Sequence, residues 1–207
     1  MPLIKDSQII EDPWTSLDDE TPLPAGAWPI VSLERWQDER ESLKEAGVPL
    51  GLRLRSDQSP RQVAEDLAHF AVIALEFPKF TDGRAYSSAR LLRERYGYKG
   101  ELRAVGHVLR DQALFLVRCG FDAFEVAAET SPEAWRAALA RISVLYQGAA
   151  DGRPTASRLR WRQVQEAKAR IPAPISQGHP QSHPQGHPQG PSRGLKAEEP
   201  CAALCAY

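Results

Sequence analysis

From Trp28 onward, short apolar runs alternate with longer stretches in which apolar residues recur every three or four positions. PIVSL, PLGLRLR, AVIALEF, ELRAVG and FDAFEV have the length and the β-branched and aromatic content of strands. Leu33, Trp36, Leu43 and Ala46 lie at near-helical spacing before a stop at Gly47. Ser59, Pro60 and Gln62 supply an N-cap, a first-turn proline and a reciprocal cap, which predicts a helix through Phe70. Further helices are predicted over 85–96, ending before Gly97, and over 110–119, stopped by Gly120. Thr130 with Glu133 makes a capping box for a last helix running to about Gln147.

Strands separated by helices are βα repeats, and an unbroken apolar run such as AVIAL marks a strand covered on both faces. The expected fold class is therefore α/β, with a mainly parallel sheet of about five strands. Right-handed crossovers wind such a sheet into an open sandwich or a partial TIM-like barrel, and the pattern leaves both open.

Outside the repeats the composition shifts. Residues 1–27 are rich in acid and proline and are expected to lie extended over a surface, or to stay mobile, without forming a core. The α/β domain is expected over 28–148, a basic helical extension over 149–171 and a disordered tail over 172–207. In that tail His-Pro-Gln recurs three times, but polyproline geometry does not stack His179, His183 and His187 on one face.

Charge changes the picture little overall and more locally. A net charge of -1 gives no generic attraction to nucleic acid. Residues 1–47 carry eleven acids against four bases, whereas 151–170 carry two against six. These two runs are expected either to pair or to form solvated faces. No stretch approaches the roughly 20 apolar residues of a membrane span, and no signal core is present, so a cytoplasmic protein is expected. Cys119, Cys201 and Cys205 form neither a disulfide framework nor a metal-ligand spacing, and no cofactor or metal is evident.

Candidate chemistry gathers where parallel strands deliver their loops, at the carboxyl ends. Two loops stand out, EFPKFTDGRAYS and AVGHVLRDQ. In the first, Pro78 ends the ladder, Gly83 permits a sharp turn, and Lys79 and Arg84 flank a helix start suited to sulfate, sulfite, phosphate or carboxylate, with Tyr86 and Ser87 as further donors. Arg103, Arg110 and Gln112 extend this anion- or partner-binding set, and Asp82, Glu76 and Asp111 are the candidate acids or bases. His107 has no identifiable partner. The plainer alternative has Asp82 capping the helix, Arg84 paired with Asp82 or Glu101, and Arg103 paired with Glu76 across neighbouring strands. The binding reading requires Arg84 and Arg103 to converge on one hollow. The phosphate-loop, dinucleotide, esterase-elbow and zincin motifs do not occur.

The motifs LEFPKFTDGRAYS, GELRAVG, LRDQ and CGFDAFE, in that order, resemble the bacterial domain of unknown function 934 family, with looser similarity upstream through SLERWQDERESL and GLRL. That resemblance implies a role in sulfur assimilation, because members are encoded beside assimilatory sulfite reductase and are described as oxidoreductases of sulfite reduction. It implies sulfite reductase or another sulfate-assimilation enzyme as partner, and a small oxyanion as ligand. Siroheme and iron-sulfur chemistry cannot be ligated by three scattered cysteines, so an accessory protein is expected ahead of an oxidoreductase acting alone. An enzyme on a small anionic substrate is the alternative.

Overall fold

The structure, a computed structural model, describes residues 1–23 and 26–170. The His-Pro-Gln tail, Cys201 and Cys205 lie outside the described residues. One sheet contains eight strands: β1 (Leu3–Lys5), β2 (Gln8–Ile10), β3 (Trp14–Ser16), β4 (Trp28–Ser32), β5 (Leu50–Leu54), β6 (Phe70–Phe77), β7 (Glu101–Gly106) and β8 (Ala123–Glu125). Their order is β2-β1-β8-β7-β6-β5-β4-β3, with β3 to β8 mutually parallel and β1 and β2 antiparallel at one edge.

Eight strands correct the expectation of about five. The five runs read from the sequence all form strands, and the other three come from the segment expected to make no core. Leu3 and Ile4 are 1% and 0% exposed, and β1 pairs with β8 from the far end of the sheet-forming sequence. Three-residue strands carry too little periodicity to be recognised locally; β1 is made by its distant partner β8, and β2 then pairs with β1 and β3 with β4.

The sheet is a curled half-barrel, and chain connectivity shows why. β2 and β3 are its two edges, yet only Glu11, Asp12 and Pro13 separate them. Seven flat interstrand steps of about 4.8 Å would put the edges about 34 Å apart. The chain from Ile10 to Trp14 reaches at most about 14 Å. The sheet must therefore bend until its edges nearly meet.

Side-chain alternation sorts the strands' residues between the two faces. Val31, Leu52, Leu54, Ile73, Leu75, Phe77, Leu102 and Phe124 point to the convex face and build the main core with the helices. Those helices are α1 (Leu33–Asp38), α2 (Arg40–Glu45), α3 (Arg84–Arg90), α4 (Ala113–Cys119) and α5 (Pro132–Ala140). Ile30, Val72, Ala74 and Val105 form a separate cluster with Trp14 on the concave face. AVIAL is thus buried on both sides, but the sheet's own curl rather than a second helical layer supplies the second cover. Gly51 permits this: a Cβ there would lie 2.7 Å from the Ile30 side chain and 3.2 Å from Trp14.

Several helices are shorter than the sequence predicts. The stretch from Leu33 divides at Glu39 into α1 and α2. The helix expected through Phe70 is two 3-10 turns, Pro60–Val63 and Leu67–His69, although Ser59 does cap the first. Buried Asp66 accepts from the Trp36 indole at 3.2 Å and pairs with Arg40, which ties this turn to α1 and α2. α3 continues as a π turn over Leu91–Arg95. The N-cap of α5 is Ser131, not Thr130, and the helix stops at Ala140 rather than Gln147. α6 (Ala156–Ala169) follows, burying none of its side chains. Among the described residues no hydrogen bond or ion pair joins its basic side chains to the acidic first 47 residues. No described helix is long and apolar enough to cross a membrane.

Candidate functional site

β6 ends at Phe77, and Pro78 removes the donor that would extend its ladder. The chain turns with Asp82 N–H donating to Lys79 C=O at 3.0 Å, and Asp82 then accepts from the Arg84 N–H at 3.1 Å. The same carboxylate takes the Arg84 guanidinium at 3.0 and 2.6 Å, and Arg84 also donates to Ser56 Oγ at 2.9 Å. These hydrogen bonds from Arg84 hold the Asp82 carboxyl far below the usual carboxylate range. Asp82 is therefore a clamp for its neighbour rather than a proton carrier near neutrality. Lys79 is exposed, and no described residue pairs with it. Tyr86 packs edge-on between Phe77 and Phe115, centroids 5.1 and 4.6 Å away, and burial pushes its hydroxyl up to about 12. Ser87 is exposed on the outer side of α3, beside Arg90 and Glu94.

The second loop is fastened to the first. Gly106 has φ +91°, and a Cβ there would stand 2.6 Å from the Phe77 carbonyl oxygen. This close approach lets His107 N–H donate to the same oxygen at 2.8 Å. Phe80 N–H donates to His107 Nδ1 at 3.3 Å, which places the neutral ring's proton on Nε2. Gln112 closes the clasp: its amide nitrogen donates to Phe80 C=O at 3.0 Å and its oxygen accepts from Leu109 N–H at 3.2 Å. His107 and Gln112 thus find their work in joining two loops. Phe80 stays 50% exposed with its ring edge-on to His107. Arg110 and Asp111 face a different depression of about 530 Å³, shared with Glu129, Thr130 and Ser131 after β8.

Arg103 lies elsewhere. It sits in mid-strand on the concave face, 1% exposed, and binds Asp12 at 2.6 and 3.1 Å and Glu101 at 2.9 and 3.1 Å, with Glu125 at 4.0 Å. Lys5 completes the cluster by donating to Glu101 at 2.8 Å. Glu76, the partner suggested by adjacency, instead meets Arg53 at 3.3 Å. Parallel register explains the switch: Arg103 lies opposite Ala74, whereas Glu76 lies two residues further along β6, opposite Val105. Arg84 and Arg103 therefore do not converge on one hollow, and each is already neutralised by its own carboxylates.

A second cavity at the carboxyl ends, over β4, β5 and β6, involves other residues. It measures about 270 Å³ between the ends of β4, β5 and β6 and the Ser16–Asp19 segment at the end of β3. Arg53, Arg55, Glu34 and Glu76 line it, with Asp18 and Asp19 opposite. Arg35, 5% exposed, holds the covering segment by donating to the carbonyls of Asp18 and Thr21 at 2.9 and 2.7 Å. Arg53 and Arg55 close the predicted strand PLGLRLR, so their place at the rim follows from the sequence. Arg35, Asp12 and Asp18 carry no local mark, since their contacts depend on the curl.

Among the described residues no group of three or more His, Cys, Asp or Glu is placed to hold a metal ion. Cys119 is buried at the end of α4, and burial pushes its thiol up. The family model described as a bacterial protein of unknown function (DUF934) matches residues 51–156, which contain both fastened loops. No curated protein matches the chain.

Proposed function

Since the chain belongs to the domain of unknown function 934 family, we propose that it is an accessory protein of assimilatory sulfate and sulfite reduction that docks sulfite reductase, or another enzyme of that route, through its two fastened loops. One observation carries the docking version: Phe80 and Lys79 project from a segment whose backbone is already bonded at both Phe80 N–H and Phe80 C=O. A rigid, half-exposed aromatic beside a cation is a good anchor for a protein surface, because little ordering entropy is lost on contact. Direct capture of a sulfur oxyanion by Arg84 and Arg103 has less support, because a bound oxyanion must displace Asp82 or the carboxylates around Arg103. We read the curled parallel sheet as a partial TIM-like barrel, whose usual functional rim is the end that bears these loops.

Capture from sulfate-grown cells with the tagged full chain tests this directly. Sulfite reductase should be recovered by the unmodified protein and lost with Lys79→Ala/Phe80→Ala, while Arg90→Ala on the outer side of α3 retains it. Deletion of the gene should slow growth on sulfate and leave growth on cysteine unchanged. Equal growth on both, together with undiminished capture by the double variant, removes the proposal.

The second reading, an enzyme on a small anionic substrate with a redox centre supplied by a partner, draws on the cavity beside Arg53, where Glu76 is the available acid or base. It predicts turnover that Glu76→Gln abolishes and Asp111→Asn leaves intact.

A further inference from the structure

The cavity at the ends of β4, β5 and β6 combines features that the docking proposal does not use. Its cations and anions are unequally satisfied. Arg55 is held by Glu34 at 2.7 Å and by Asp57 at 3.5 Å, and Asp19 accepts from the Ser32 hydroxyl. Arg53 differs: it has a 3.3 Å ionic contact with Glu76 and no hydrogen bond to any described residue. Asp18 differs in the same way, since Arg35 takes its backbone carbonyl while its carboxylate has no described partner. Both line the same cavity, and no ion pair joins them.

A guanidinium whose one ionic contact is longer than a hydrogen bond needs, and a carboxylate without a described partner, facing one cavity are complementary to a molecule with both signs of charge. Arg53 offers a planar fork of N–H donors for a carboxylate, and Asp18 offers acceptors for an ammonium group. A simple oxyanion meets four lining carboxylates, Asp18, Asp19, Glu34 and Glu76, against two arginines, and is disfavoured. A simple cation leaves Arg53 unsatisfied. The volume of about 270 Å³ is at the small end of ligand sites and suits a small molecule. The position also agrees with the rule that parallel sheets bind ligands beyond the carboxyl ends of their strands.

We propose that this cavity binds a small zwitterion of the α-amino acid class, its carboxylate on Arg53 and its ammonium on Asp18. The site is independent of the docking proposal, since Lys79 and Phe80 do not line it. Because Arg35 fixes the covering segment through backbone carbonyls, Asp18 can be altered without releasing that segment.

Isothermal titration of the full chain with L-alanine, propionate and ethylamine tests the assignment. These probes share a two-carbon frame and differ in which charged groups they carry. L-Alanine should bind, and each half-probe should bind at least about tenfold more weakly, each lost charged contact being worth on the order of 1.4 kcal/mol or more. Arg53→Gln and Asp18→Asn should each weaken alanine binding by a similar factor, while Lys79→Ala leaves it unchanged. Asp18→Asn is a substitution on an exposed segment and keeps the test open should Arg53→Gln fail to fold. No heat with L-alanine, or binding of either half-probe as tight as that of alanine, overturns the proposal. Loss of alanine binding with reductase capture intact, or the reverse, separates this site from the docking surface.

Discussion

The guanidinium of Arg103 and the carboxylate of Asp12 are 91 residues apart in the chain and meet at 2.6 and 3.1 Å on the concave face of the sheet. Asp12 belongs to the three-residue link between the two edge strands, so this pair fastens the sheet's edges to its middle. Arg103 is 1% exposed, and the contact with Asp12 is therefore screened far less than a surface ion pair.

Arg103→Ala leaves Asp12 and Glu125 without their cation and Glu101 with Lys5 alone, and should cost about 3–5 kcal/mol in urea unfolding. Asp12→Ala leaves Glu101 on the arginine and should cost less, about 1–2 kcal/mol. The double variant should be less destabilised than the two single losses added together. Simple additivity is the result that denies the coupling.

Gly106→Ala should destabilise the fold by about 2 kcal/mol or more, because the left-handed backbone costs a Cβ residue about 1–2 kcal/mol and a clash is added. That clash is the 2.6 Å approach to the Phe77 carbonyl oxygen. Gly47→Ala provides the control: φ is +64° there, but nothing lies within 4 Å of the added carbon, so only the backbone cost of about 1 kcal/mol should appear. Equal losses in the two variants would show that the close approach at Phe77 carries no energy.

Alkaline pH should weaken the fold through Tyr86. Its hydroxyl titrates at about 12 in the folded chain against 10.0 when unfolded, so between those values the unfolded chain has released a proton that the folded chain retains. Stability from this group is complete below pH 10 and falls as the pH rises toward 12. Tyr86→Phe keeps the contacts with Phe77 and Phe115 and should flatten part of the decline in melting temperature. Tyr98 and the Cys119 thiol, also raised by burial, should contribute to what remains.

Arg35→Ala should lower stability by about 2 kcal/mol, because a charged donor that satisfies backbone carbonyls is lost. The freed segment, whose Asp18 and Thr21 carbonyls Arg35 holds, should become the first site of limited proteolysis between Leu17 and Thr21. Arg35→Lys should recover only part of this protection, since an ammonium cannot reproduce a guanidinium that bonds both carbonyls and Glu39 at 3.2 Å. Unchanged cleavage in both variants counts against the clamp.

The repeating apolar runs of the chain already state that it forms βα units, since AVIALEF and ELRAVG can be buried only as strands with their crossovers packed on them. They also place EFPKFTDGRAYS and AVGHVLRDQ on one rim, because loops that follow parallel strands emerge at the same end; the pairing of β6 with β7 is what sets the two loops side by side. The Asp82–Arg84 clamp is likewise local, two residues apart, and legible beforehand. Only the tertiary structure decided how the charges are shared. β1 is fixed by pairing with distant β8, with β2 folded back on it and β3 laid against β4, and the curl they impose brings Asp12 to Arg103 and Asp18 to the cavity of Arg53. A side chain's sign and reach are written in the sequence; which opposite charge it meets depends on the path of the whole sheet, and no short window of residues contains that path.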